Sequence, residues 1–364
     1  MDRLKPDIFY KVDIVVIGAG QAGLSAAYHL KKAGLEAGKG FVVLDDEFSP
    51  GGAWQHRWDS LTLSNVNGIN DLPGMSFSDA VNTEDSSLQA NVALPKYYEK
   101  YEREFELPVI RPLRVTSVKS QNGRFIIRTN GIQFNARGII NATGTWKTPH
   151  CPRYLGWETF RGRQLHTGEY KNAEEFRGKH VLVVGGGISA IQLLGEISAI
   201  TQTTWVARRS PDFRKYEFTP EMGRKAVALV EERVRQGLPP KSVVSVTGLP
   251  ITPAIQTMLE KGIMDRKPMF ERITKNGVQW EDGTTLDVDI IFWNTGFRHS
   301  LDHLESLMLI NEKGGIEMTG RLATQVLKDP RIHLTGYGPS ASTVGANRAG
   351  RAAANELIEY LKLK

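Results

Sequence analysis

Twice along this chain a short apolar run ends in glycines and passes at once into a helical pattern. Val12–Ile17 (VDIVVI) leads into Gly18-Ala19-Gly20-Gln21-Ala22-Gly23 and a helical pattern through Leu30. Val181–Val184 (VLVV) leads into Gly185-Gly186-Gly187-Ile188-Ser189-Ala190 and a helical pattern through Ile197. A second short strand follows each, Phe41–Leu44 and Thr203–Val206. Strand, glycine turn, helix and strand in that order make a parallel βαβ unit. The two clusters start 167 residues apart, at Gly18 and Gly185, too far for a tandem repeat and suited to two nucleotide-binding domains. The expected fold class is therefore α/β, with two Rossmann-like dinucleotide-binding domains.

The spacing G-x-G-x-x-G has a physical reading. The first glycine makes the tight turn, the second lets backbone N–H groups approach a pyrophosphate, and the third lets helix and strand pack closely. The helix N-terminus then stabilises the phosphate charge. Gly18, Gly20, Gln21, Ala22 and Gly23 are expected to contact the first dinucleotide. Asp45, with Asp46 beside it, ends the next strand, where an acid can bond both hydroxyls of an adenosine ribose and repel a 2′-phosphate. In the second cluster Ala190 fills the third slot, and Gly185, Gly187, Ile188, Ser189 and Ala190 are the expected contacts. The strand after it ends in Arg208-Arg209 instead of an acid, and two guanidiniums can pair with a 2′-phosphate. One cluster with an acid and one with arginines imply two different dinucleotides: FAD in the first and NADPH in the second.

The chain has one cysteine, Cys151, which excludes an internal disulfide, a C-x-x-C redox pair, a cysteine-cage zinc site and a four-cysteine iron–sulfur cluster. No metal is expected, and electrons must travel on something bound. The net charge of +6 comes without a run of five basic residues or a nucleic-acid module signature, so nucleic acid is not an expected partner. Met1–Lys11 has no apolar core, and Val12–Leu30 is broken by Asp13, His29 and three glycines. Neither a signal peptide nor a membrane span is expected, and the cytoplasm is the expected location. Between the clusters the pattern predicts a helix over Lys96–Phe105 and antiparallel strands over Arg114–Lys119, Arg124–Thr129 and Ile132–Asn135. A second meander is predicted over Phe270–Leu286, with helices at Thr219–Arg235, Pro253–Lys261 and Thr343–Leu361.

Further motifs carry a family resemblance. Phe160-Arg161-Gly162-Arg163-Gln164-Leu165-His166-Thr167-Gly168-Glu169-Tyr170 fits F-x-G-x-x-x-H-x-x-x-Y just before the second glycine cluster. Gly51-Gly52-Ala53-Trp54 is similar to a G-G-x-W segment, Asn141-Ala142-Thr143-Gly144 to an A-T-G crossover, and Asn294-Thr295-Gly296-Phe297 to a T-G-[FY] return crossover. Together, over roughly residues 10 to 360, these resemble the flavin-containing monooxygenases, in particular the small bacterial ones.

The resemblance implies an FAD-binding domain at residues 1–148 and 294–364, with an NADPH-binding domain at 149–293 inserted into it. It adds Gly52, Trp54, Val115, Ala142, Thr143, Gly144, Thr295, Gly296, Gly336 and Gly338 to the cofactor contacts. It implies a NADPH-dependent monooxygenase that places one oxygen of O2 on a small thioether, amine or ketone through a C4a-(hydro)peroxyflavin. The alternatives are an NADPH oxidase or flavin reductase, and a flavin-bound redox sensor linked to ion transport. An ungapped match puts Ser64 where larger members carry an asparagine that protects the oxygenated flavin, with Asn65 one residue later. His166 and Tyr170 read as braces rather than catalysts. A homodimer is expected from the resemblance alone.

Overall fold

The computed structural model describes residues 9–66, 68–81, 84–214, 220–241 and 248–363. The first eight residues and Thr219, the expected start of one helix, lie outside these. In chain order the strands are β1 (Phe9–Ile17), β2 (Phe41–Leu44), β3 (Val109–Ile110), β4 (Val115–Gln121), β5 (Arg124–Thr129), β6 (Gln133–Asn141), β7 (Arg163–His166), β8 (Val181–Val184) and β9 (Thr203–Val206). Then come β10 (Phe213–Arg214), β11 (Leu249–Pro250), β12 (Arg272–Ile273), β13 (Gly277–Gln279), β14 (Thr285–Asp287), β15 (Ile290–Trp293), β16 (Met318–Thr319), β17 (Gln325–Val326) and β18 (Ile332–Leu334). The helices used below are α1 (Gln21–Lys32), α2 (Ala90–Glu104), α3 (Ile188–Ser198), α4 (Pro220–Arg235) and the C-terminal helix Thr343–Leu361.

The chain divides into two compact units. Unit 1 comprises Met1–Thr145, Lys225–Val243 and His299–Lys364; unit 2 comprises Trp146–Arg224 and Val244–Arg298. These limits differ from the expected boundaries for physical reasons. Phe297 and Arg298 stay with unit 2 because Phe297 bridges Pro149 and the Arg298 N–H donates to Thr148 O at 2.8 Å. Lys225–Val243 belongs to unit 1 because Val234 is fully buried in a cluster with Leu304, Ile316 and Tyr337.

Unit 1 is built on the parallel strands β18-β6-β1-β2-β3, with β16 and β17 continuing the sheet antiparallel beyond β18. β1 and β2 are apolar and buried on both faces over Ile14–Ile17 and Phe41–Leu44, as a parallel sheet covered by helices requires. The third antiparallel strand, expected to end at Asn135, continues to Asn141. Its first half pairs with β5 and its second half with β18, while β1 runs alongside the whole length. One strand therefore serves both the antiparallel arm and the nucleotide-binding sheet.

The expected helix at Lys96–Phe105 starts earlier, at Ala90, with Pro95 inside it. The apolar face Ala90, Ala93, Leu94, Tyr97, Tyr98 and Tyr101 is buried at helical spacing, and that burial outweighs the amide donor lost at Pro95. Unit 2 has the all-parallel order β7-β15-β8-β9, with the small antiparallel sheet β12-β13-β14. Its core gathers Leu182, Val184, Val206, Phe270, Ile291 and Trp293.

Candidate functional site

In unit 1 the first glycine loop rests on contacts that only glycine permits. Gly18 leaves β1 at φ +100° and donates its N–H to Leu44 O at 2.7 Å. A β-carbon on it would stand 2.6 Å from the Ala142 carbonyl oxygen, and one on Gly23 would stand 1.9 Å from Gly18 O. These two glycines let β1, α1 and the end of β6 close on one another. Gly20 is different: it caps α1, and a β-carbon there would meet nothing within 4 Å. Its backbone borders open space at the positive end of a helix, the cradle a pyrophosphate requires. Gly52 closes one side of that space, since its β-carbon would lie 3.0 Å from Gly20 Cα. Trp54 follows in the same short turn, with the Arg57 guanidinium 5.7 Å from its ring centre.

Asp45 ends β2 as expected, but it also holds the loop together. Its Oδ2 accepts the Ala19 N–H at 2.6 Å and its Oδ1 the Glu47 N–H at 2.9 Å. Burial pushes its carboxyl pKa up, opposed by these two bonds and by Arg111, whose Nε lies 3.8 Å away. Arg111 is gripped in turn by both oxygens of Glu102, at 2.6 and 2.8 Å. Two of roughly four lone-pair sites on Asp45 are used, which leaves capacity for ribose hydroxyls. Asp46 is half-buried and acts electrostatically on His303. The side chain of Gln21 is fully engaged: its Nε2 donates to Asn70 O and Asn347 Oδ1, both at 3.0 Å, and its Oε1 accepts from Tyr98 Oη at 2.6 Å. It ties the start of α1 to its surroundings and leaves only its backbone for a ligand. Ala22 packs with Ala142 and Ala346.

At the end of β6, the Ala142 N–H donates to Ile17 O at 2.7 Å. Thr143 Oγ1 donates to Ser300 O at 2.7 Å and accepts from Asn141 Nδ2 at 3.0 Å. Asn141 Oδ1 lies 2.7 Å from His303 Nε2. Burial lowers the His303 pKa to about 4, so the ring is neutral and Nε2–H donates. Gly144 borders open space and stands 3.8 Å from where a β-carbon on Gly336 would be. Gly338, expected near the cofactor, is required by packing: a β-carbon on it would meet Val234 Cγ1 at 2.9 Å. Val115 opens β4, half-buried. Ser64 and Asn65 are exposed. Asn65 Nδ2 donates to Ser60 O at 2.9 Å and its Oδ1 accepts the Thr62 N–H at 2.8 Å, so both ends of the amide hold their own turn. Ser64 Oγ lies 2.7 Å from Thr62 Oγ1.

Unit 2 repeats the device. A β-carbon on Gly185 would stand 2.2 Å from Asn294 O, while one on Gly187, the cap of α3, would meet nothing within 4 Å. Ile188, Ser189 and Ala190 form the first turn of α3, with Ala190 fully buried in the third slot. Arg208 and Arg209 stand exposed beyond β9. Gly296 borders open space. Thr295 Oγ1 donates to His150 O, and Gly296 O accepts the His150 N–H at 2.9 Å.

The F-x-G-x-x-x-H-x-x-x-Y segment braces this crossover. His166 Nδ1 accepts the Gly168 N–H at 3.1 Å, so the ring proton sits on Nε2 and is donated to Gly296 O at 2.9 Å. Thr167 Oγ1 bonds Asn294 Oδ1 at 2.8 Å, and Tyr170 is buried against Phe176 and Phe292. The Arg111–Glu102 pair, the His303–Asn141 bond and the Gln21 network had no signal in motif spacing, because each joins residues that only the fold brings together.

No helix among the described residues is long and apolar enough to cross a membrane, and none of their His, Cys, Asp or Glu side chains cluster to hold a metal. The family model described as pyridine nucleotide-disulphide oxidoreductase matches residues 15–336. A relative, the oxidoreductase CzcO of Bacillus subtilis, is 30% identical over 336 residues, covering 90% of this chain and 89% of its own length. The structure is similar to a flavin-containing monooxygenase from Stenotrophomonas maltophilia, with a TM-score of 0.80, 35% identity, and coverage of 96% of this chain and 99% of that one. Dimethylaniline monooxygenase [N-oxide-forming] 2 of Mus musculus is 25% identical over 372 residues, covering 89% of this chain and 68% of that protein. The chain therefore belongs to the pyridine nucleotide-disulphide oxidoreductase family, as an oxidoreductase of its flavin-containing monooxygenase branch.

Proposed function

We propose that unit 1 holds FAD and unit 2 holds NADPH, and that the enzyme places one oxygen of O2 on a small soft nucleophile, a thioether or an amine. FAD bound in unit 1 would supply the redox chemistry, carrying electrons from NADPH to O2. The observation that carries this reading is the contrast between two otherwise matching cradles. One is followed by the buried acid Asp45, and the other by the exposed pair Arg208 and Arg209. An acid suits ribose hydroxyls and repels a 2′-phosphate; a pair of guanidiniums suits the 2′-phosphate.

The chain's own contributions are positional. Gly20 and Gly187 offer backbone N–H groups to diphosphates. Asp45 and its Arg111–Glu102 support fix the first loop. Thr143 and His303 hold the end of β6, and His166 holds Gly296 with a proton that stays on Nε2.

A second reading is an NADPH oxidase with no oxygenated product. It is favoured by the engagement of Asn65, whose amide holds its own turn; the ungapped sequence match then leaves only the Ser64 hydroxyl for the position where larger members carry a protective amide. The test is a product screen with thioethers, amines and cyclic ketones, measuring NADPH consumed and H2O2 formed. Oxygenated product matching NADPH consumption supports the monooxygenase. H2O2 matching NADPH, with every substrate unchanged, refutes it in favour of the oxidase.

A further inference from the structure

Beyond the second glycine loop, unit 2 carries arginines that no carboxylate among the described residues pairs with. Arg298 Nε donates to His150 Nδ1 at 3.1 Å, and Arg298 Nη2 lies 3.4 Å from His150 Nε2. A guanidinium keeps its protons, so one ring nitrogen of His150 accepts; Nδ1 is the nearer of the two, and that assignment puts the single ring proton on Nε2. Nη2–H and Nε2–H are then two donors side by side. Among the described residues the Arg298 guanidinium bonds no side chain but His150, and no carboxylate pairs with Arg298, Arg208 or Arg209. Burial, Arg298 and Arg208, in that order, hold the His150 pKa below its ordinary value, which keeps the ring neutral with this one proton. An oxyanion placed between the two donors would accept from both.

The fold says which oxyanion. In the order β7-β15-β8-β9, the glycine loop leaves β8, Arg208 and Arg209 follow β9, and Arg298 follows β15. The strand order therefore puts arginine-bearing segments after the strands on either side of β8. His150 is fastened along Thr295 and Gly296, just past Asn294, whose carbonyl packs on Gly185.

We propose that Arg298 and His150 clamp the diphosphate of the pyridine nucleotide from the β15 side, while Arg208 and Arg209 read the 2′-phosphate from the β9 side. This rests on the reading that unit 2 takes NADPH, but it assigns separate phosphates to separate arginines. The diphosphate is common to both nucleotides and the 2′-phosphate is not, so the two sets of substitutions must behave differently.

The experiment is titration calorimetry of the FAD-loaded protein with NADP+ and with NAD+, and with inorganic pyrophosphate as competitor. Arg298→Gln should weaken NADP+, NAD+ and pyrophosphate by the same factor, about tenfold or more for a charge-assisted contact. Arg298→Lys should recover part of that affinity, because it keeps the charge without the fork. The double variant Arg208→Gln with Arg209→Gln should weaken NADP+ and leave NAD+ unchanged. If Arg298→Gln leaves NAD+ and pyrophosphate affinity intact, or weakens NADP+ alone, the diphosphate clamp is refuted. If the double variant discriminates neither nucleotide, the 2′-phosphate reading fails, and the Arg298 result against NAD+ still decides the clamp.

Discussion

Gly20 and Gly23 lie three residues apart in one loop, yet the structure gives them opposite jobs, and alanine at each should separate the two. At Gly20 the backbone is extended, with φ −81° and ψ −170°, a conformation alanine adopts freely. Its added methyl would meet no protein atom within 4 Å. Folding should change little: restricting the unfolded chain favours alanine by about 0.4–1 kcal/mol, and the poorer helix cap opposes it by a similar amount. The methyl does, however, occupy the space where phosphate oxygens would meet backbone N–H groups. Losing one charge-assisted bond of about 1.5–3 kcal/mol weakens FAD binding roughly ten- to a hundredfold. At Gly23 the methyl carbon would lie 1.9 Å from Gly18 O, so α1 and β1 must part, which costs about 1–3 kcal/mol or more. The assay is urea unfolding of both variants alongside FAD titration of the deflavinated proteins by flavin fluorescence. Gly20→Ala should unfold like the native chain and bind FAD weakly; Gly23→Ala should unfold early. Native FAD affinity in Gly20→Ala would mean that the open space beside Gly20 is not the phosphate cradle.

His333 is fully buried in β18 with its pKa lowered by burial from 6.5 to about 3, and its Nε2 has no hydrogen-bond partner among the described residues. The unfolded chain takes up this proton near pH 6.5 and the folded one does not, so the stability is fully present above that pH and falls as pH drops towards 3. Between about pH 6.5 and 5 the loss is about 2 kcal/mol from this residue. Urea midpoints of His333→Gln should be correspondingly flatter with pH than those of the native protein; parallel curves would show that His333 titrates normally. His166→Leu removes the bond to Gly296 O and should cost about 1–3 kcal/mol and raise KM for NADPH, whereas His166→Gln, which can still donate, should recover most of both. Loss of kcat in His166→Gln with thermal midpoint and KM unchanged would make His166 a catalyst and not a brace.

Features that depend on neighbours in sequence were readable directly. The strands Phe41–Leu44, Val181–Val184 and Thr203–Val206 stand where the apolar runs placed them, and the C-terminal helix spans Thr343–Leu361 as its periodicity implied. What escaped is what tertiary pairing decides. Pro95 reads as a helix breaker, and only the buried face on either side of it shows that α2 starts at Ala90. Nothing in the pattern of Gln133–Asn141 says that one strand will exchange β5 for β18 halfway along. The helix α4 follows the second glycine unit in sequence, yet Val234 is buried in unit 1, because an amphipathic helix goes where its apolar face is covered.

The motifs were readable for a related reason that the structure makes explicit. The first glycine of each loop and its distant crossover are two halves of one contact: Gly18 against the Ala142 carbonyl, Gly185 against the Asn294 carbonyl. In both units a parallel strand must end beside a glycine turn with no room for a side chain between them. That constraint falls on residues more than a hundred positions apart, yet it leaves a mark in both places: a glycine without a substitute in one, and a small-residue crossover in the other. Asp45, Arg208 and Arg209 are marked in the same way, because the end of the next strand is fixed by the βαβ geometry itself. Arg298 and His150 carry no such mark. Their pairing depends on Phe297 bridging Pro149, a contact between two loops that no strand order imposes, so the pair becomes visible only once the chain has folded.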